Sequence, residues 1–171
     1  TDLPSHAIGP AHGPRSQLAN LSADWHVSFA GINKSVTEST LTDWIADPST
    51  IHYSGEATYS RDFTLARAPS ASTFLEVEGG APTVPQPRGS AQAYYDPPIR
   101  EGALVTINGQ AAGTLWHPPY RLDVSKLLKT GENHIEIRVY NTAINAWSAL
   151  QPHDYGPLIA KYGDRFQMRD I

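Results

Sequence analysis

Three clusters in this chain combine aromatic rings with planar polar groups, the parts that a sugar site needs. Such a site stacks an aromatic face on the C–H side of a pyranose and surrounds its hydroxyls with amides, imidazoles or carboxylates. Trp116-His117, just before Pro118-Pro119-Tyr120, supplies those types. So do Tyr94-Tyr95-Asp96 and the pair Asn141 with Trp147. Prolines and glycines around Trp116-His117 and Tyr94-Tyr95 indicate exposed loops, whereas Tyr120 reads as sandwich packing, the usual fate of a large aromatic. Hydrolysis needs a different constellation, two carboxylates roughly 5–9 Å apart across the scissile bond. The chain has 17 acidic residues, but they alternate outward along strands (Glu76, Glu78, Glu136) or sit in turns (Asp47, Glu132). His153-Asp154 is a pair of sequence neighbours, which rarely face each other. Nucleophile elbow, phosphate loop, dinucleotide fingerprint and His-Glu-x-x-His are all missing.

The elements that must position these clusters are strands. Trp25, Val27 and Phe29 alternate with His26 and Ser28, a first strand ending at Gly31. Residues 32–56 are irregular, with Trp44 as anchor on a short helical turn before Asp47-Pro48. Ala57, Tyr59, Arg61, Phe63 and Leu65 share one face of the next strand. Arg61 breaks that apolar pattern, so it either snorkels past the sheet edge or pairs with a buried carboxylate, the reading favoured here. Phe74 to Glu78 forms a strand with Leu75 and Val77 inward. A long insertion, 79–101, follows, with order expected in its second half. Ala103 to Ile107 runs into Asn108-Gly109, the type I′ hairpin signal. Tyr120, Leu122 and Val124 alternate with Arg121 and Asp123. Ile135, Ile137 and Val139 form the clearest strand, and Leu158 to Tyr162 with Arg165 to Met168 is expected to close the fold as a last strand.

The stretch Val105 to Asn141, with Ile107-Asn108-Gly109, Trp116, Pro118-Pro119-Tyr120, Asp123-Val124 and Gly131-Glu132-Asn133, resembles the sugar-binding domain of the β-galactosidase/β-glucuronidase family. The segments Tyr140 to Ala146 and Ala160 to Met168 are more similar to the C-terminal sandwich of large bacterial α-L-rhamnosidases. The resemblance implies an all-β, antiparallel jelly-roll sandwich of the galactose-binding type over residues 21–171, joined by a linker (1–20) to an upstream catalytic domain. It also implies that the catalytic acids lie on a separate barrel and that carbohydrate is the partner. A purely structural sandwich and a free-standing lectin are the alternatives. Jelly-roll sugar modules often hold a structural calcium; no run of alternating acids marks such a site here, and no cofactor is otherwise expected.

Composition bounds the remaining classes. A chain of 171 residues reads as one domain and buries about 70% of its unfolded surface. Fourteen prolines and 13 glycines with 18% charged residues suit a loop-rich β fold. A net charge of −4 and a pI near 5.9 leave no basic footprint for nucleic acid or an anionic membrane. Without cysteine there are no disulfides, thiolate metal sites or thiol nucleophiles. No apolar run approaches the ~20 residues of a membrane span. Thr1-Asp2-Leu3-Pro4 is not a signal peptide, and the chain reads as a piece of something longer, which the resemblance implies is a secreted or periplasmic enzyme. His6 and His12 lie in the Pro- and Gly-rich linker without a third ligand at fixed spacing, so they are not taken as a metal site.

Overall fold

The computed structural model describes residues 16–82, 95–150 and 156–162. His6, His12 and the first 15 linker residues, Tyr94, His153-Asp154 and Arg165 to Met168 lie outside them. The larger layer is a six-stranded antiparallel sheet in the order β2-β1-β3-β10-β7-β8. Its strands are β1 (Trp25–Phe29), β2 (Lys34–Glu38), β3 (Glu56–Leu65), β7 (Gly102–Ile107), β8 (Gln110–Leu115) and β10 (Gly131–Tyr140). Opposite it lies a two-stranded sheet of β4 (Phe74–Glu76) and β9 (Arg121–Asp123), and β5 (Ala81–Pro82) pairs with β6 (Tyr95–Asp96). The chain passes from the large sheet to the small one and back twice, giving an antiparallel jelly-roll sandwich.

The two-residue period places Trp25, Val27, Phe29, Ala57, Leu65, Ala103, Val105, Ile107 and Ile135 in the core. Leu75, Val77, Tyr120, Leu122 and Val124 close it from the second layer. Close approach of that layer is allowed by Gly113, where a Cβ would meet Leu122 Cδ2 at 2.9 Å. The β7–β8 turn is the expected type, with φ of 51° at Asn108 and 77° at Gly109. Arg61 does lie on the core face, but among the described residues no carboxylate pairs with it. Its guanidinium donates to the Ala23 carbonyl and lies 5.9 Å from the Trp25 ring centroid, keeping the charge solvated by a carbonyl and a π face.

Two elements differ from the sequence reading, β2 and the C-terminal end, while the short helical turn expected at Trp44 is present. β2 was missed because its single core-directed apolar residue, Val36, gives no alternation. Trp44 sits on a 3-10 turn (Trp44–Ala46) N-capped by Asp43, whose carboxylate accepts from Ile45 N at 3.2 Å. At the C-terminal end the expected last strand is, over its described part, a helix: α2 (Gly156–Tyr162), following α1 (Ile144–Trp147). Pro157 in its first turn explains this, since a fixed φ near −65° suits a helix start and a missing N–H costs nothing there.

Trp44 donates through Nε1 to the Tyr59 hydroxyl at 2.6 Å, and burial pushes the Tyr59 phenol up to about 12. A raised folded-state pKa means that this contribution is intact below the ordinary value of 10.0 and is lost as pH rises from there to about 12. Tyrosinate absorbance should therefore show a late step in alkaline titration, and Tyr59→Phe should remove it. A titration of all eight tyrosines in the ordinary range would contradict the burial assigned to Tyr59.

Candidate functional site

The candidate residues within the described chain fall at one end of the sandwich. β8 delivers Trp116 immediately after Leu115, which pairs with Ala103. β10 delivers Asn141 immediately after Tyr140, which pairs with both Gly102 and Glu56. Val77 N donates to Tyr120 O at 2.9 Å, tying the chain that leads into Gly79, β5 and β6 to the same end. Position alone brings these residues close. Among the described residues no ring contact or hydrogen bond joins Trp116 to Tyr95, Asn141 or Trp147.

Their surroundings separate them. Trp116 is 63% exposed, and its ring meets the His117 imidazole edge-on at 4.4 Å between centroids and 89° between planes. His117 Nδ1 is in turn 2.7 Å from the Pro118 carbonyl. An indole steadied by a neighbouring ring yet open to solvent is the form a stacking platform takes. Tyr95 is also exposed, but its hydroxyl is occupied, donating to Gly79 O at 2.7 Å, while Asp96 holds Arg100 at 3.0 Å. Asn141 has its amide engaged by backbone. Its Oδ1 accepts from Gly55 N at 2.8 Å and its Nδ2 donates to Tyr53 O at 2.7 Å. A sugar hydroxyl at Asn141 would have to displace those bonds. Trp147 stands on α1 with its ring 63% exposed, beside Ile144 and Leu150, which are exposed too.

Two features escaped the sequence reading. One is an open cleft of about 410 Å³ between Ala30–Ile32, Pro48–Ser49 and His52–Ser54. The other is the outward-facing pair Glu56 and Tyr140, register neighbours on β3 and β10, where the Glu56 carboxylate, together with burial, holds the Tyr140 phenol above its ordinary range. Neither has a local signature, because each depends on which strands become neighbours.

The carboxylates with shifted pKa are shifted downward. Hydrogen bonds from Lys34 and Ser49 bring Asp47 to about 2, and those from Ser125 lower Asp123. A glycosidic general acid needs the opposite, a carboxyl kept protonated near neutrality. The described residues hold no group of three or more His, Asp or Glu side chains arranged to bind a metal ion.

No family model matches the chain. Among solved structures it is similar to a rhamnosidase from Novosphingobium sp. PP1Y, at 32% identity and a TM-score of 0.60, over 81% of this chain and 12% of that one. It is 33% identical over 128 residues to a protein of Formosa agariphila named for β-glucuronidase activity, covering 71% of this chain and 10% of that protein. A GH2 β-galacturonidase from Eisenbergiella tayi shares the fold, with a TM-score of 0.50 at 22% identity over 72% of this chain. The chain thus spans about a tenth of the length of the first two relatives. In sequence and fold it is a jelly-roll sandwich domain similar to a small segment of these glycoside hydrolases, the rhamnosidase among them.

Proposed function

We propose that this domain is a non-catalytic carbohydrate-binding module of a larger, rhamnosidase-like glycoside hydrolase, secreted or periplasmic, that holds a glycan near a separate catalytic domain. The observation that carries the reading is Trp116, a large indole 63% exposed and braced by His117 at the loop end of the sandwich. An apolar ring left in water at that place contributes little to the fold and is available for stacking. The module needs no cofactor for this, with a structural calcium as the alternative.

Trp116→Ala tests it. Stacking on one aromatic ring is worth about 0.5–1.5 kcal/mol beyond area burial, so affinity for a bound oligosaccharide should fall about three- to tenfold in titration calorimetry. The melting temperature should stay at the wild-type value. If Trp116 belonged to the core, the same variant would lose about 3–5 kcal/mol of stability, and a collapsed melt with unchanged binding would sink the reading.

A second reading has its own observation. Ile144, Trp147 and Leu150, all exposed along and just beyond α1, form an apolar edge suited to packing against another domain. On that reading the sandwich is a structural spacer, and Trp147→Ala weakens contact with the catalytic domain while sugar binding is absent.

A further inference from the structure

The strand register composes a row on the outer face of the six-stranded sheet that no single stretch of sequence contains. Tyr140 pairs with Glu56 on one side and Gly102 on the other. Ala103 pairs with Leu115 across β7 and β8, so the next position along sets Gly102 beside Trp116. Ala103 is buried, hence Gly102 faces outward, and a Cβ built on Gly102 would lie 3.8 Å from Trp116 Cβ. Among the described residues its other neighbour within contact range is the Leu115 carbonyl, also at 3.8 Å, so none of them fills the space next to a Cβ at Gly102. The row therefore reads Trp116, gap, Tyr140, Glu56.

Strands ~4.8 Å apart put Trp116 and Tyr140 about 9.5 Å from each other across the gap. A ring held between two aromatic faces needs twice the ~3.5–4.0 Å contact distance, about 7–8 Å, so one pyranose fits and two do not. Register sets the Glu56 carboxylate beside Tyr140 on the side away from the gap. Two residues back along β10, on the same face, stands Arg138, 39% exposed, whose Nε lies 3.7 Å from Glu136, beyond hydrogen-bond range. Hydroxyl partners of both kinds thus border the gap: a carboxylate at Glu56 and a guanidinium at Arg138.

From this arrangement, and resting on the carbohydrate-binding reading above, we infer that a single neutral pyranose docks over Gly102 between Trp116 and Tyr140, with its hydroxyls toward Glu56 and Arg138. Neutrality follows from charge. Two carboxylates, Glu56 and Glu136, share this outer face with one guanidinium, Arg138, so the carboxylate of a uronic acid would meet net repulsion.

The test follows the indole N–H signal of Trp116 in the full chain labelled with ¹⁵N-tryptophan. Methyl α-L-rhamnoside, methyl β-D-galactoside and methyl β-D-glucuronide serve as probes. At least one neutral glycoside should shift that signal saturably, and the glucuronide should bind about tenfold more weakly or not at all. Gly102→Val fills the gap and should lower neutral-glycoside affinity about tenfold or more. Its fold is expected to survive because the new Cβ makes ordinary contacts. Trp116→Ala, followed by saturation transfer from the protein to the glycoside, checks the same loss without touching the core. Glu56→Gln should narrow the preference against the glucuronide. Neutral binding that falls in Trp116→Ala but is unchanged in Gly102→Val overturns this site and leaves the carbohydrate-binding reading standing, whereas binding unchanged in both variants overturns the two together. Preference for the glucuronide overturns the neutral assignment. No binding of any glycoside or oligosaccharide by the wild-type chain overturns both.

Discussion

Replacing Asn133 by alanine should lower the melting temperature by about 10 °C, the largest effect expected from any single polar residue in this domain. Asn133 is 1% exposed, and its amide is fully used. Nδ2 donates to the carbonyls of Lys129 (2.8 Å) and Gly131 (3.0 Å), while Oδ1 accepts from Lys129 N and Asn108 Nδ2, both at 2.9 Å. Asn108 extends the network, donating to Leu127 O at 2.8 Å and accepting from His134 N at 3.0 Å. The two amides fasten the β7–β8 turn to the chain entering β10. Truncation strands several buried backbone groups at about 1–3 kcal/mol each, partly recovered by relaxation, for a net loss of about 3–5 kcal/mol. At this chain length that corresponds to about 10 °C. Asn133→Asp is the informative companion. It keeps the acceptor but turns an oxygen toward two carbonyls, so it should be the worse variant at neutral pH and recover partly as acid protonates it. A melt within about 2 °C of wild type for Asn133→Ala would refute the network's role.

Phe29→Ala should cost about 3–5 kcal/mol, and here the damage should spread to the loops. Phe29 is buried at the end of β1 and meets Trp44 edge-on at 5.5 Å and Tyr53 at 5.3 Å. Trp44 and Tyr53 meet each other at 5.6 Å, closing a three-ring cluster. The Tyr53 hydroxyl lies 2.8 Å from Ala30 O and 2.7 Å from Glu56 O, where the chain enters β3. The cluster thus holds residues 44–55 against the large sheet and shapes one wall of the 410 Å³ cleft. In a double-mutant cycle Phe29→Ala and Trp44→Ala should couple by about 0.5–1.5 kcal/mol. Strict additivity would mean that the rings fill space independently.

Whatever could be read from neighbours in the chain was legible. Asn108-Gly109 demanded positive φ at two successive residues, and Ile135, Ile137 and Val139 alternated without interruption, so β7, β8 and β10 followed directly. β2 was not legible because an edge strand with one inward valine carries no periodic signal. The helix at Gly156–Tyr162 is short and its apolar run fits a strand equally well, so only Pro157 in its first turn marks it as a helix start. At the candidate site the residue types were legible and their employment was not. Asn141 looks like a ligand for hydroxyls until its amide is seen spanning Tyr53 and Gly55. Gly102 looks like a strand start until register sets it between Trp116 and Tyr140. Such juxtapositions depend on which strand lies beside which, a non-local property that a one-dimensional pattern does not encode.

The central claim is that this domain binds carbohydrate without cleaving it. Saturation-transfer NMR on the pure chain mixed with a panel of rhamnose- and galactose-containing oligosaccharides addresses both halves in one tube. Transfer from protein to sugar protons is expected for at least one oligosaccharide, with no growth of new reducing-end signals over prolonged incubation. Absence of transfer across the whole panel, or release of reducing ends that one Asp or Glu substitution abolishes, would contradict it.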